Sequence, residues 1–451
     1  MKMIKPHPLI SLRGTVLLLI FVAFSSEESN LYSQQSLHLE DAVTRSLQNN
    51  LGIRLARQQS EISAVGNAWG AAGALPQIGL SASGSNAVSD QSRNPTSFIQ
   101  EKLESESINV GGQLNWVLFD GFGMFANKRA LERLEEQAEG QVALVIEQTA
   151  SATMQAYNNV LVQLALRDVL SAAMEVSRAR LDWMEARQAT GASSTFDRLQ
   201  FDNALLTDSL AWLQQKANIE QATIALNRLM GEAAESQWKF ASTLNAPKSR
   251  NDFGQLRSQI FSNATVIQNA LIAQELAESG VQQARARLSP NVSLSANQNE
   301  QSSRFEAGDL SGNGVTKNWS ANLAINFNLF NGGATRRAIE QAKIQVAMAE
   351  MQAEDQRREV DRLLQDVWSR WSSAEQTHLI LIQLTENSER SLQIAQERLT
   401  SGAINSLDFR EIQMQVINLQ QQQLQALNAW QAMDIELQRL GGDWSIETQV
   451  P

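Results

Sequence analysis

Two hydrophobic spacings take turns along the chain. From Trp319 to Leu329 apolar residues recur at every second position, with Ser, Asn and Ala between them, which is the period of a strand with one dry and one wet face. Val292, Leu294 and Ala296 alternate with Asn291, Ser293, Ser295 and Asn297 in the same way, as do Ile78, Leu80 and Ala82 with Gln77, Gly79, Ser81 and Ser83. A looser version runs over 108–118. The spacing predicts four strands, at 77–85, 108–119, 291–299 and 317–330, with polar loops at 86–107 and 300–316. After each second strand the period becomes helical. Residues 124–189 and 333–400 are rich in Ala, Leu, Gln, Glu and Arg and hold no proline. Either stretch, as one helix, runs about 100 Å at 1.5 Å per residue. Breaks follow at 190–194 and 401–405, where glycine ends one helix and Ser or Asn, with an acid three residues on, starts the next. The returning helices end at Gly231 and Gly441. Helical stretches also precede Pro76 and Pro290, over 39–74 and 256–288. Segments this long imply coiled-coil or helical-barrel packing.

The two halves of this pattern are one pattern twice. Leu118-Phe119-Asp120-Gly121 answers Leu329-Phe330-Asn331-Gly332, and the same offset sets Gly191-Ala192 against Gly402-Ala403 and Asp197 against Asp408. It also aligns Leu226, Arg228, Leu229 and Gly231 with Leu437, Arg439, Leu440 and Gly442. One constant offset over so long a stretch signals a duplication, with a first repeat over 37–254 and a second over 255–443.

Composition sharpens this picture at three points. The 451 residues contain 7 prolines, where average usage gives roughly 23, and this scarcity leaves two long tracts free of a helix breaker. The cysteine count is zero, which excludes disulfide scaffolds, thiol catalysis, cysteine zinc sites and an acylated-cysteine anchor. The formal net charge of −11 argues against nucleic acid as a partner. At the N-terminus, Lys2, Lys5 and Arg13 precede an apolar run over 16–24 and then Ser25-Ser26-Glu27-Glu28. This reads as a secretory signal peptide over 1–25, the alternative being an uncleaved membrane anchor. No later continuous apolar segment reaches the ~20 residues of a membrane-spanning helix.

Four strands with an apolar face and a Ser/Asn face look like part of a transmembrane barrel with a wet interior. Alone they cannot close, and an open edge in lipid leaves unpaired backbone groups that cost several kcal/mol each. The alternative is a soluble sheet with one solvated face.

The order of Leu39, Ala42, Leu47 and Asn50, an alanine-rich helix ending at Leu75-Pro76, the strands, Phe119-Asp120-Gly121 and the Gly191 and Asp197 break resembles TolC-like outer membrane efflux proteins. The duplicated Phe330-Asn331-Gly332, Gly402 and Asp408 extend the resemblance over essentially the whole chain after the N-terminal segment. The resemblance implies a mainly α fold with a four-stranded β contribution. Each chain would give one third of a homotrimeric 12-stranded barrel in the outer membrane of a Gram-negative bacterium, above a periplasmic α-barrel. It implies a passive exit duct, not an enzyme and without cofactors, that serves efflux or type I secretion. The duct would open when a periplasmic adaptor and an inner-membrane transporter dock. The rival reading is a periplasmic coiled-coil adaptor or scaffold with no membrane barrel.

Several residues stand out for such a duct. Asp408 and Glu411 share a helix face and match positions where the family sets acidic rings at the periplasmic entrance, with Asp197 equivalent in the first repeat. Capping competes for them, since Asn405 with Asp408 fits an N-cap and its N3 acid. The tips Gly191, Ala192, Gly402 and Ala403 are expected to meet the adaptor, against the plainer reading of an αα turn. Ile404 departs from relatives that carry a charged residue there. Trp116, Phe119, Trp319 and Phe330 are expected at the membrane interface, or packed on top of the α-barrel. Gly121-Phe122-Gly123-Met124-Phe125-Ala126 fits a dinucleotide fingerprint, but the following helix is far too long for a βαβ unit. His7, His38 and His378 are isolated, with no ligand spacing or nucleophile beside them.

Overall fold

The computed structural model describes residues 35–248 and 252–441. The expected signal peptide at 1–25 and the last two residues assigned to the second repeat lie outside the described residues.

Each repeat sets a broken helix, a β-hairpin arm and a long helical hairpin in sequence. The first holds β1 (Ser36–Leu37), α1 (Leu39–Asn49), α2 (Leu51–Gly66), β2 (Gln77–Asp90), β3 (Lys102–Phe119), α3 (Gly123–Ala189), α4 (Thr195–Met230) and β4 (Lys239–Phe240). The second holds α5 (Phe253–Asn263), α6 (Thr265–Ala286), β5 (Asn291–Ala307), β6 (Leu310–Asn326), α7 (Ala334–Thr400) and α8 (Ser406–Gly441). α3 and α7 are both 67 residues long, and α4 and α8 both 36. At 1.5 Å per residue the long pair reach about 100 Å.

The helices entering the strands are broken where single ones were expected. Asn50 turns extended between α1 and α2, and its Oδ1 accepts from the Gly52 N–H at 2.8 Å to start the new helix. Ala264 makes the matching break between α5 and α6. α2 also stops at Gly66 rather than running to residue 74, because Gly66, Gly70 and Gly73 follow in quick succession.

The strands form one antiparallel sheet in the order β2-β3-β5-β6, in which each pairs with its successor along the chain. All four are longer than expected. Both ends of the loop assigned at 86–107, and nearly all of that at 300–316, are strand, since Ser, Asn and Glu pair through their backbones as well as apolar residues do. β5 and β6 close through a two-residue turn at Gly308 and Asp309, with Gly308 at φ 58°. β6 ends at Asn326, not at residue 330. Asn326 pairs with Asn291, and the next ladder position faces Pro290, which has no N–H to give.

Side chains from consecutive elements fill the helical layer in separate stations. Leu37, Ala42, Tyr157, Val160, Leu226 and Met230 form one core. There the Tyr157 hydroxyl donates to the Leu37 carbonyl at 2.8 Å, tying the small parallel β1–β4 pair to α3. Ile260, Ile267, Leu364, Trp371, Trp430 and Leu437 form another. Leu226 and Leu437, equivalent by the duplication, are both fully buried, and each such burial is worth about 1.5–3 kcal/mol.

In the half nearer the sheet, the helices lie side by side as α2–α3–α6–α7. In the half away from it they lie as α4–α3–α8–α7. α3 is the spine of both, so a kink there is felt throughout. Val145→Pro removes a helix bond in the middle of α3 and should cost ~3 kcal/mol or more. Thermal unfolding by circular dichroism should show a large loss for Val145→Pro and a small one for Val145→Ala. Equal melting would contradict a single continuous α3.

Candidate functional site

Both hairpin tips end their first helix alike. Gly191 (φ 77°) and Gly402 (φ 75°) take left-handed conformations, and the Ala192 and Ala403 N–H groups donate to the Arg187 and Arg398 carbonyls at 2.8 Å. A β-carbon on either glycine would meet open space, so backbone conformation selects glycine here. All four tip residues are exposed.

The helices that follow start differently. Ser194 Oγ accepts from the Asp197 N–H at 3.1 Å and donates to Asp197 Oδ2 at 2.7 Å, while the Ser194 N–H donates to the same oxygen at 3.3 Å. The Asp197 carboxylate is therefore engaged in its own helix cap. At α8 the cap uses Asn405 Oδ1, which accepts from the Leu407 and Asp408 N–H groups at 2.9 Å each. That leaves the Asp408 carboxylate exposed and without a hydrogen bond or ion pair among the described residues. Glu411, one turn on, is likewise exposed and unpaired. The sequence treats Asp197 and Asp408 as equivalents, and the structure separates them: one caps, the other is free.

Beside this free face lies a polar cluster that sequence reasoning missed. Arg410 Nη2 and Nη1 donate to Asp208 Oδ1 and Oδ2 at 2.6 and 2.8 Å, a two-pronged pair between α8 and α4. Ser177 of α3 donates to Asp208 Oδ2 at 2.5 Å and accepts from Arg410 and Gln413 at 3.3 Å each. Asp208, Ser177 and Gln413 are buried. One clamp thus ties three helices from both repeats. The duplication carried its signal: Arg410 stands where the first repeat has Leu199, and Asp208 where the second has Leu419. One turn beyond Ser177, Arg180 is buried with its guanidinium 5.2 Å from the Phe409 ring centre, and desolvation lowers its pKa.

The sheet has two unlike faces. Ladder register puts Ile78, Leu114, Ala296 and Ala321 in one row and Leu80, Gly112, Gln298 and Trp319 in the next. On this face Leu80 is 90% and Trp319 83% exposed, values that make sense only if something apolar covers them. The opposite face carries Gln77, Asn115, Ser295 and Asn322 in one row and Ser83, Asn109, Gln301 and Thr316 in another. Trp116 shares the apolar face with Trp319, and its indole N–H donates to the Ala74 carbonyl at 2.9 Å. Phe119 instead joins Phe122, Phe125 and Trp69 in a chain of ring contacts at the junction of sheet and helices. Phe330, beyond the end of β6, is exposed.

The described histidines and the fingerprint-like turn lie in separate settings. The His38 N–H donates to Asp41 Oδ2 at 3.2 Å, heading α1. His378 is buried against Trp430, where desolvation pushes its pKa down, and His7 lies outside the described residues. Among the described residues no three His, Cys, Asp or Glu side chains are grouped to hold a metal ion. β3, ahead of the Gly121-Phe122-Gly123 turn, is antiparallel to both neighbours, so no βαβ unit forms there. No described helix is long and apolar enough to cross a membrane.

Comparisons with known proteins converge. The sequence profile of the outer membrane efflux protein family matches residues 42–232 and 256–443. Outer membrane efflux protein BepC of Brucella suis biovar 1 (strain 1330) is 25% identical over 278 residues, 59% of this chain and 57% of that protein. The matched stretch thus spans little more than half of that relative's length. Among solved structures, CusC superposes with a TM-score of 0.74 at 18% identity, over 89% of this chain and 91% of its own. The Campylobacter jejuni CmeC outer membrane channel gives 0.71 at 19%, over 90% and 85%. VceC of Vibrio cholerae gives 0.70 at 18%, over 90% and 96%. At these identities the structural likeness is one of fold.

The Asp208–Arg410 clamp makes a sharp prediction of its own. Arg410→Ala leaves a buried carboxylate unpaired and should cost about 3–5 kcal/mol, whereas Asp208→Leu with Arg410→Met should recover most of that loss. Thermal melts of the three proteins decide the matter, and a double variant as unstable as Arg410→Ala would contradict the clamp.

Proposed function

The chain belongs to the outer membrane efflux protein family, and on that premise we propose that three copies close into a passive exit duct from the periplasm through the outer membrane. One observation carries the proposal: every layer of the protomer ends in two unsatisfied flanks of fixed identity. In the sheet the flanks are the unpaired edges of β2 and β6. In the adjoining helical half they are α2 and α7, and in the far half α4 and α7.

The helical flanks are apolar where a neighbour would sit. α2 exposes Leu51, Leu55, Ile62 and Val65, spaced four, seven and three residues apart. α4 exposes Phe196, Leu199, Leu206, Leu210 and Leu213 in the same kind of rhythm. Along α7, Ile344, Met348 and Met351 stand level with the first stripe, and Ile380, Leu384 and Ile394 with the second. These are knob spacings of helices that pack side by side. First-repeat elements form one flank throughout and second-repeat elements the other, so copies join head to tail and the contact closes a ring. Three copies bring twelve strands, an even number within the range of single barrels, and leave no edge in lipid. The apolar sheet face, with Trp116 and Trp319, then meets hydrocarbon and the Ser/Asn face lines a wet interior.

The rest of the reading follows from that ring. The helices extend into the periplasm as a tube whose far end is formed by the hairpin tips. Gly191, Ala192, Gly402 and Ala403 are the small exposed surface on which a periplasmic adaptor docks, bringing an inner-membrane transporter that supplies the energy. Free carboxylates at Asp408 and Glu411 from three chains place six acids around one constriction and favour cations. Asp197, occupied by its cap, belongs to the turn rather than to that ring.

Two experiments separate the parts. Leu206→Asp with Leu210→Asp should convert heat-modifiable trimers in detergent to monomers, and trimers that persist would contradict the α4 contact. Asp408→Asn with Glu411→Gln should lower cation selectivity in planar bilayers, and an unchanged reversal potential would remove both residues from the gate.

A further inference from the structure

The placement of charge on the sheet goes beyond what a closed barrel requires. Taking the side chains that share a face by ladder register, the face with Ser83, Asn109 and Asn299 carries no ionisable residue on any of the four strands. It consists of Ser, Asn, Gln, Thr, Gly and Ala, with Val117 near the helices and Leu103, Phe305 and Leu310 near the turns. Every charged strand residue lies on the opposite, apolar face, most of them above its apolar rows. There Lys317 pairs with Glu300 across strands at 3.2 Å, Lys102 with Glu104 at 2.8 Å and Arg304 with Glu306 at 2.5 Å. Asp90 and Glu106 share the face. Off the strands, the turns carry Arg93, Glu101 and Asp309.

A wet wall does not demand this. Lumenal charges cost little in a water-filled pore and are where such barrels tune their selectivity. Charges on the lipid side are the costly ones, and here they stand where outer-leaflet headgroups would surround them. We propose that the membrane-spanning half of the duct is a neutral passage of amides and hydroxyls that does not select by charge. Its wall offers hydrogen bonds to any solute, holds neither acids nor bases, and accepts cationic, anionic and zwitterionic cargo alike. Whatever charge preference the duct has is set among the helices, before cargo reaches the sheet. This inference rests on the ring described above.

The absence of cysteine gives a clean background for the test. Asn318→Cys and Lys317→Cys place thiols on neighbouring residues of β6 that face opposite sides. Each variant, shown to be a heat-modifiable trimer, is put in a bilayer of uncharged lipid under a KCl gradient with a dilute side of about 0.01 M, where the Debye length is about 30 Å. Sulfonate-bearing and trimethylammonium-bearing methanethiosulfonates are then applied in turn. With Asn318→Cys the sulfonate should move the reversal potential toward cations and the ammonium toward anions, by similar amounts from the untreated value. With Lys317→Cys neither reagent should move it. Separately, Glu104→Gln with Glu106→Gln and Glu300→Gln should leave selectivity unchanged. A shift in that triple variant, or no shift on labelling Asn318→Cys, would overturn the neutral passage. Unmodified protein that forms no conducting trimer would instead overturn the duct itself.

Discussion

An antiparallel sheet with one apolar face and two free edges cannot remain as it is in hydrocarbon. Each unpaired N–H or C=O there costs several kcal/mol, and β2 and β6 each present a full edge of them. Capping the edges within one chain would need more strands or a covering element, and the chain supplies neither among its described residues. Pairing with other copies removes the cost, and it also dictates the helices. If β6 of one copy meets β2 of the next, α7 must lie beside the neighbour's α2 and α4. The exposed leucine, isoleucine and methionine stripes on those helices are in place for that contact. In the proposed ring, edge strands and helix flanks thus answer one demand, and three layers of different structure agree on a single direction around it.

Duplication explains how so few instructions specify so long an object. Equivalent positions repeat the same solutions: Leu226 and Leu437 as buried anchors, Gly191 and Gly402 as left-handed helix ends, Asn331 where Asp120 stands. Function enters where the copies differ. Asp197 is bound into a serine cap, while asparagine caps α8 and releases Asp408. Arg410 and Asp208 replace the leucines of their opposite halves and join the halves to each other. The free acids and the clamp lie close together along α8, so the element carrying the free carboxylates is also tied across the repeat boundary.

Much of this was legible in the residues. Period-two alternation located all four strands, and the change of period located the long helices with their breaks, because burial imposes those spacings directly. Strand ends were not legible. Glu104, Glu106, Arg304 and Glu306 continue the ladder although none looks like a strand residue in a half-buried sheet, since pairing is made by the backbone. The stop at Asn326 depends on Pro290 standing opposite, which is a fact of register rather than of local sequence. At the tips the sequence named Asp408 and Glu411 but could not tell a capping carboxylate from a free one, because Ser194-Asp197 and Asn405-Asp408 have the same spacing. Only hydrogen-bond direction separates them. The clamp was hidden for a different reason: its members lie about 200 positions apart, so each looked like an ordinary surface charge.

The neutral face of the sheet fits the dimensions of the proposed barrel. With strands about 4.8 Å apart and tilted by about 40°, twelve of them enclose a backbone radius of about 12 Å. The Debye length at physiological ionic strength is about 8 Å, so a fixed charge on such a wall is largely screened from a solute on the axis. It could hold a solute that touched the wall, but it would discriminate weakly among those passing. At the proposed constriction, by contrast, the carboxylates would face each other across a shorter gap with low-dielectric walls, where the same charges act more strongly. In a proposed barrel of that radius, a wall charge would act weakly on the axis at physiological salt and mainly as a trap for sticky cargo. A wall of serine, asparagine and glutamine loses almost no selectivity and removes the trap. In the proposed ring, the charges the strands do carry stand on the outer face, toward headgroups and water instead of the path.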